Sequence, residues 1–170
     1  MNLFLPFALI LVVVFFVSLI KIKSSREKEF DERELQIRGN AYRYAYSALI
    51  LFHAFYVILL LVVGRPMMAD GVGSLLSIFL SIAVFAVYCI RHDAFKTMRT
   101  ERGFRAYAFL LAVVVAINGW SGILAIRRGE VISDGLLQVP VSSICCAVTF
   151  LVVLIAMLIR RMQQKTEDDA

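Results

Sequence analysis

Five long stretches of apolar residues constrain the fold of this 170-residue chain more than any other feature. A helix needs about 20 predominantly apolar residues to cross the hydrocarbon core of a bilayer. The stretches that qualify are residues 3–20, 44–63, 73–90, 106–126 and 140–159. Hydrophobic residues make up 61% of the chain and charged residues 18%, whereas a soluble domain has about 45–50% and about 25%. The sequence therefore predicts an all-α integral membrane bundle of five transmembrane helices, and it excludes a soluble enzyme, a disordered regulator and a disulfide scaffold.

The first stretch, residues 3–20, predicts a retained signal anchor. It has no basic segment before it, and Lys21, Lys23 and Arg26 follow it where a cleavable signal peptide would have small residues. The alternative is a protein of four spans, in which residues 140–159 or 1–20 are removed or lie in the interface. Neither segment has the charged face that an interfacial helix requires.

The distribution of basic residues predicts the orientation of the bundle. Fifteen of the 18 lysine and arginine residues fall in residues 21–43, in residues 91–105 and in the C-terminal tail, and the opposite side holds only Arg65, Arg127 and Arg128. Cytoplasmic loops carry the excess of basic residues in membrane proteins. We therefore expect the N-terminus outside and the C-terminus in the cytosol, with residues 21–43 as the largest cytosolic segment.

The cytosolic segment predicts a short amphipathic juxtamembrane helix over about residues 26–38. Ser24 and Glu27 have the spacing of a capping box, and Gly39-Asn40 predicts a break before the second span. On the other side of the membrane, Gly71 and Gly73 predict a tight hairpin, and the turn over residues 127–139 ends at Pro140, a favourable first residue for the last span.

Two polar side chains inside the predicted spans are candidates for function. His53 lies about 14 Å from the start of its span at a rise of about 1.5 Å per residue, which places it near the bilayer midplane. An ionisable residue there suggests a proton relay or a ligand contact. The alternative is a neutral imidazole bonded to another helix, with Asn118 or Tyr56 as its partner. Asn118 lies beside Gly119 and Gly122, which favour close approach of helices.

The cytosolic segment also resembles an uncharacterised family of small multi-pass membrane proteins found mostly in Gram-positive bacteria. The resemblance rests on the run Asp31-Glu32-Arg33-Glu34, followed by Ile37-Arg38-Gly39, Ala41-Tyr42 and Tyr44-Ala45, and on a later Asp93-Ala94-Phe95. Glu34 and Asn40 stand where glutamine and lysine are usual in that family. The resemblance implies one N-terminal span, a charged segment and four further spans in a bacterial plasma membrane. It implies no activity, substrate or cofactor.

No enzyme motif accompanies these features. Metalloprotease, nucleophile-elbow and phosphate-loop patterns are absent from the sequence, and three cysteines within apolar stretches fit neither a zinc site nor a disulfide framework. Closely spaced carboxylates such as Asp31, Glu32 and Glu34 do not converge on a metal, so solvated ion pairing or docking of a partner is expected there. We expect no catalytic residue, metal or cofactor.

The expected function is therefore that of a non-enzymatic membrane protein, accessory or regulatory, which acts through contacts of its helices and its cytosolic loop. The alternative is a small oligomeric transporter or channel subunit. Expected partners are anionic lipid headgroups, further copies of the chain or another membrane protein, but not nucleic acid, because the basic residues lie in short loops between apolar stretches.

Overall fold

The computed structural model describes residues 31–95 and 100–168, which form four helices and one short hairpin joined by turns. The elements in chain order are α1 (Glu32–Val63), α2 (Val72–Arg91), α3 (Glu101–Arg127), β1 (Ile132–Ser133), β2 (Leu136–Leu137) and α4 (Val141–Asp168). All four helices contain a segment long and apolar enough to cross a membrane. The all-α prediction is thus confirmed, and four of the five predicted spans correspond to helices that are long and apolar enough to cross a membrane. The predicted span over residues 3–20 and the predicted capping box of Ser24 and Glu27 lie outside the described residues.

Helix α1 corrects one prediction from the sequence. The chain does not break at Gly39-Asn40, because a single 32-residue helix runs from Glu32 to Val63 and joins the predicted juxtamembrane helix to the predicted second span. A glycine within a helix costs only about 1 kcal/mol relative to alanine, and neighbouring Ala41 is completely buried. Packing of this region therefore outweighs the local preference of Gly39 for a helix end.

Helix α1 is longer than the hydrocarbon core of a bilayer is thick. At 1.5 Å per residue its 32 residues extend about 48 Å, whereas the hydrocarbon core is about 30 Å thick. By internal contacts the chain divides into two units, residues 1–36 and residues 37–170.

Helix α4 forms the centre of the second unit and packs against both α2 and α3. One core cluster contains buried side chains from all three helices: Ala86 and Ile90 of α2, Leu111 of α3, and Val153 and Met157 of α4. Near the other end of the α3–α4 pair, a Cβ atom added to Gly122 would lie 2.6 Å from Cγ1 of Ile144. The absence of a side chain at Gly122 therefore allows α3 and α4 to approach closely, as predicted for this glycine.

The connections at the hairpin end of the bundle differ from the predicted ones. Strands β1 and β2 pair antiparallel across Asp134 and Gly135, which both have positive φ angles (53° and 74°). This pair is a two-residue turn of the type that Asp-Gly favours. The connection between α1 and α2 is longer than the predicted tight hairpin, with left-handed Gly64 and Gly71, while Gly73 lies inside α2.

That connection also joins the hairpin. The N–H of Leu137 donates to the carbonyl of Met67 (2.9 Å), and the N–H of Ala69 donates to the carbonyl of Leu137 (2.8 Å). Met68 thus forms a single parallel β-bridge with Leu137 of β2. Backbone hydrogen bonds between the two connections tie the α1–α2 end to the α3–α4 end on this side of the bundle.

Candidate functional site

The residues of the family-like motif lie along the first four turns of α1. Asp31 precedes the helix and accepts a hydrogen bond from the N–H of Glu34 through Oδ1 (2.8 Å), so it is the N-cap. Glu32 and Arg33 are exposed, whereas Glu34 is buried. Carboxylates in the first turn also interact favourably with the helix dipole. The acidic residues of the motif thus stabilise the N-terminus of α1.

The second part of the motif packs against the end of α2. Ala41 is buried in a small cluster with Cys89 and Ala94, and Ile37 and Phe95 lie against this cluster. The structure thus brings together the two segments that carry the family resemblance, residues 37–45 and residues 93–95, although they are about 50 residues apart in the chain. We call this region, residues 37–45 of α1 with residues 85–95 of α2 and its C-terminal turn, the aromatic joint.

Aromatic rings of α1 and α2 contact each other in the aromatic joint. The rings of Tyr42 and Phe85 have centroids 4.6 Å apart, and those of Tyr44 and Tyr88 are 5.1 Å apart. The guanidinium of Arg38 lies 5.9 Å from the centroid of the Phe85 ring, within the range of a cation–π interaction. Two tyrosines of the family-like motif, Tyr42 and Tyr44, thus have ring partners on the next helix.

The C-terminal turn of α2 completes the aromatic joint. Asp93 has a φ of 58°, and the N–H groups of Asp93 and Ala94 donate to the carbonyls of Ile90 (3.2 Å) and Cys89 (2.9 Å). This is the bond pattern of a Schellman motif, in which aspartate takes the left-handed position that glycine usually occupies. The turn directs Ala94 back onto Cys89 and places the Asp93 side chain toward α4.

An ion pair between α2 and α4 was not foreseen from the sequence. Nε of Arg160 donates to Oδ1 of Asp93 (2.9 Å), Nη2 of Arg160 donates to Oδ2, and Nε2 of Gln164 donates to Oδ1 (3.0 Å). The Arg160 side chain is only 20% exposed and that of Asp93 is 45% exposed, so water screens this pair less than a surface pair. The signal in the sequence was Asp93 itself, an acid that directly follows a span among basic residues.

One face of α1 beside the aromatic joint remains open. Gly39, Tyr42 and Tyr46 recur at spacings of three and four residues, so they lie on one side of the helix, and all three are exposed. Tyr42 is 61% exposed and Tyr46 is 65% exposed. The same segment therefore buries Ala41 and Ala45, while Tyr42 stays largely exposed beside its contact with Phe85 and Tyr46 is exposed. We call Gly39, Tyr42 and Tyr46 the tyrosine face.

The structure places His53 on the exposed side of α1. Its Nδ1–H donates to the carbonyl of Leu49 within the same helix (3.0 Å). Asn118 also bonds within its own helix, from Nδ2 to the carbonyl of Val114 (2.9 Å). The alternative of a bond between His53 and Asn118 or Tyr56 is not the arrangement seen, since a carbonyl one helical turn away bonds to each polar group without a second helix.

The same region tests the predicted roles of the two glycines. Gly122 is buried against α4, whereas an added Cβ at Gly119 would meet no atom within 4 Å. Only Gly122 therefore serves close packing. Within residues 31–95 and 100–168 there is no group of three or more histidine, cysteine, aspartate or glutamate residues that could hold a metal ion.

Comparisons with protein-family models, with curated proteins and with solved structures gave no match for this chain. The resemblance of residues 31–45 and 93–95 to a family of small membrane proteins therefore stays a prediction. The features of the structure that bear on function are the aromatic joint, the tyrosine face, and His53 and Asn118.

Proposed function

We propose that this protein is a non-enzymatic, multi-pass membrane protein that acts through contacts made by the tyrosine face of α1. The observation that carries the proposal is the two-sidedness of the motif-bearing segment. One side, with Ala41 and Ala45, is buried, whereas Tyr46 and the part of Tyr42 that does not contact Phe85 are exposed. Tyrosine is enriched at protein interfaces because it combines a large apolar ring with a hydroxyl group.

The orientation in this proposal is N-terminus outside and C-terminus in the cytosol of a bacterial cell, with residues 3–20 as a further span. The bias of basic residues supports it. In this orientation the aromatic joint and the Asp93–Arg160 pair lie at the cytosolic surface, and the β1–β2 hairpin lies outside. The tyrosine face is then at the level of the cytosolic headgroups and accessible to proteins in the membrane or the cytosol.

The orientation can be tested by single cysteines in a variant that lacks Cys89, Cys145 and Cys146. A cysteine at Ser133 in the hairpin should react with a membrane-impermeant maleimide added to intact cells, and a cysteine at Gln163 should react only after the membrane is permeabilised. Labelling in the reverse order would contradict the proposed orientation.

Contact function can be tested by incorporating a photoreactive phenylalanine analogue at Tyr46 in cells of the source organism. We expect an adduct of one defined mass that exceeds the mass of the chain and is not a multiple of it. The matched control is Phe109 of α3, an equally exposed aromatic residue (72%) outside the tyrosine face. Adducts with lipid and with the chain itself alone, or the same adduct from Phe109, would contradict the proposal.

The alternative of a transporter or channel subunit has less support. A permeation path requires polar groups that face one another or a shared cavity, and both His53 and Asn118 satisfy their hydrogen bonds within their own helices. Since the described structure gives neither residue a polar partner on another helix, contact function is the better explanation of this arrangement.

A further inference from the structure

A groove opens between three helices immediately beside the aromatic joint. Its walls are apolar and consist of Ala83, Val84 and Val87 of α2 and Val152 of α4. Its volume is about 430 Å³, within the range of about 300–1,000 Å³ that is usual for sites that bind small molecules. The groove lies in the membrane-spanning part of the bundle, so the molecules that can enter it from the side are lipids.

The groove has a polar mouth at one end only. Tyr44, Tyr88 and Arg91 line it there, and Arg91 is the last residue of α2. Ala83 lies eight residues earlier, about 12 Å deeper at 1.5 Å per residue. This depth is most of the half-thickness of the hydrocarbon core, about 15 Å. The groove therefore reaches from headgroup level into a single leaflet.

Arg91 is exposed, and among residues 31–95 and 100–168 no carboxylate pairs with it, in contrast to Arg160, whose guanidinium is held by Asp93. A long basic side chain at a helix end extends toward the headgroups. The mouth thus offers a positive charge and two tyrosine rings at the depth of a phosphate group, above walls that match an acyl chain.

We propose that this groove binds one anionic phospholipid, with the phosphate at Arg91 and an acyl chain against Ala83, Val87 and Val152. The charge of Arg91 and the one-sided polarity of the groove select an anionic lipid over a zwitterionic one. In the proposed orientation the site faces the cytosolic leaflet. The inference rests on the membrane placement given above and does not require a protein partner.

The test is native mass spectrometry of the full-length protein, reconstituted with equal amounts of phosphatidylglycerol and phosphatidylcholine that carry the same acyl chains. The wild-type protein should retain one phosphatidylglycerol in preference to phosphatidylcholine. Loss of one basic contact at the headgroup weakens binding about fivefold, so Arg91→Gln should reduce the preference by about that factor. Val87→Trp, which fills the groove, should lower retention of both lipids.

The matched control is Arg102→Gln. Arg102 is an exposed arginine in the first turn of α3, at the same end of the bundle but outside the groove, and its loss should leave the preference unchanged. Equal retention of phosphatidylglycerol by wild type and Arg91→Gln, retention without headgroup preference, or a second copy of the chain in place of lipid would each overturn the proposal. If the photoreactive analogue at Tyr46 gives no protein adduct while the lipid preference is present, the contact function alone is contradicted.

Discussion

The two halves of α1 show opposite relations to the rest of the protein. Residues 37–45 include Ala41 and Ala45, which are 0% and 5% exposed. This segment packs against the end of α2 although it also contains charged and polar residues. Between residues 46 and 63, which are nearly all apolar, no residue is buried. In a membrane this difference is physically reasonable, because lipid solvates apolar side chains as well as protein does. The buried contacts of α1 are therefore made by its polar half.

The largest effect on stability is expected from a bulky side chain placed in the aromatic joint. Ala41→Phe should destabilise the protein by about 3 kcal/mol, because no space exists for a ring between Cys89 and Ala94. Thermal unfolding in one detergent would measure the loss. The matched control is Ala54→Phe in the exposed half of α1, which should change stability by less than about 0.5 kcal/mol. Equal effects at both positions would remove the distinction between the halves.

The second prediction concerns the turn that supports the aromatic joint. Asp93→Ala should cost about 2 kcal/mol, because it removes the charged hydrogen bonds to Arg160 and puts a β-carbon without a compensating polar group at φ 58°. Asp93→Asn tolerates the left-handed conformation and should cost less. Chemical unfolding measures both free energies, and an unchanged stability of Asp93→Ala would show that the turn contributes nothing.

A third prediction concerns the tightly packed contact between α3 and α4. Gly122→Ala should lower stability by about 1 kcal/mol, the balance of overpacking against Ile144 and the better helix propensity of alanine. Gly119→Ala, with no atom near the new methyl group, should raise stability by about 1 kcal/mol. Unfolding of the two variants side by side gives the sign of each effect, and the same sign for both would contradict the packing described for Gly122.

The smallest effect is expected in the exposed half of α1. His53→Leu should change stability by less than about 0.5 kcal/mol, since the imidazole bonds only to Leu49 of its own helix and leucine is well solvated by lipid. The same variant should leave the Tyr46 photoadduct intact. A loss of the adduct or a large loss of stability would mean that His53 has a partner, and it would revive the transporter hypothesis.

Much of the fold followed from the sequence because it depends on patterns of about 20 residues. Four of the predicted spans coincide with helices to within a few residues at most ends, since apolar length is a strong signal in a chain of this composition. Local signals were less reliable. Gly39-Asn40 has the residue types of a helix end, but burial of Ala41 keeps the helix continuous. Asp134-Gly135 has the residue types of a two-residue hairpin turn, and the structure has a hairpin there. Apolar stretches of about 20 residues contain no sign of this hairpin.

The candidate site was predictable in part. The motif residues Tyr42 and Tyr44 were singled out, but their ring partners Phe85 and Tyr88 belong to a span with no distinguishing pattern. The pairing of Asp93 with Arg160 depends on which helices are neighbours, and one sequence does not contain that information. Intramembrane His53 drew attention through its chemistry, yet the backbone of its own helix satisfies it.

The most direct test of the account is a crosslink across the aromatic joint in intact membranes. In a variant with Cys89, Cys145 and Cys146 replaced by alanine, Tyr44→Cys and Tyr88→Cys should be joined within one chain by a short thiol reagent, because their rings lie 5.1 Å apart. A protease site placed in the α1–α2 connection makes the crosslink visible as two fragments that stay together. The control pair Phe55→Cys and Ile78→Cys, both exposed residues of the same two helices, should separate. Crosslinking of the control pair with equal yield, or none between positions 44 and 88, would contradict the central claim that α1 makes its buried contacts through its polar half.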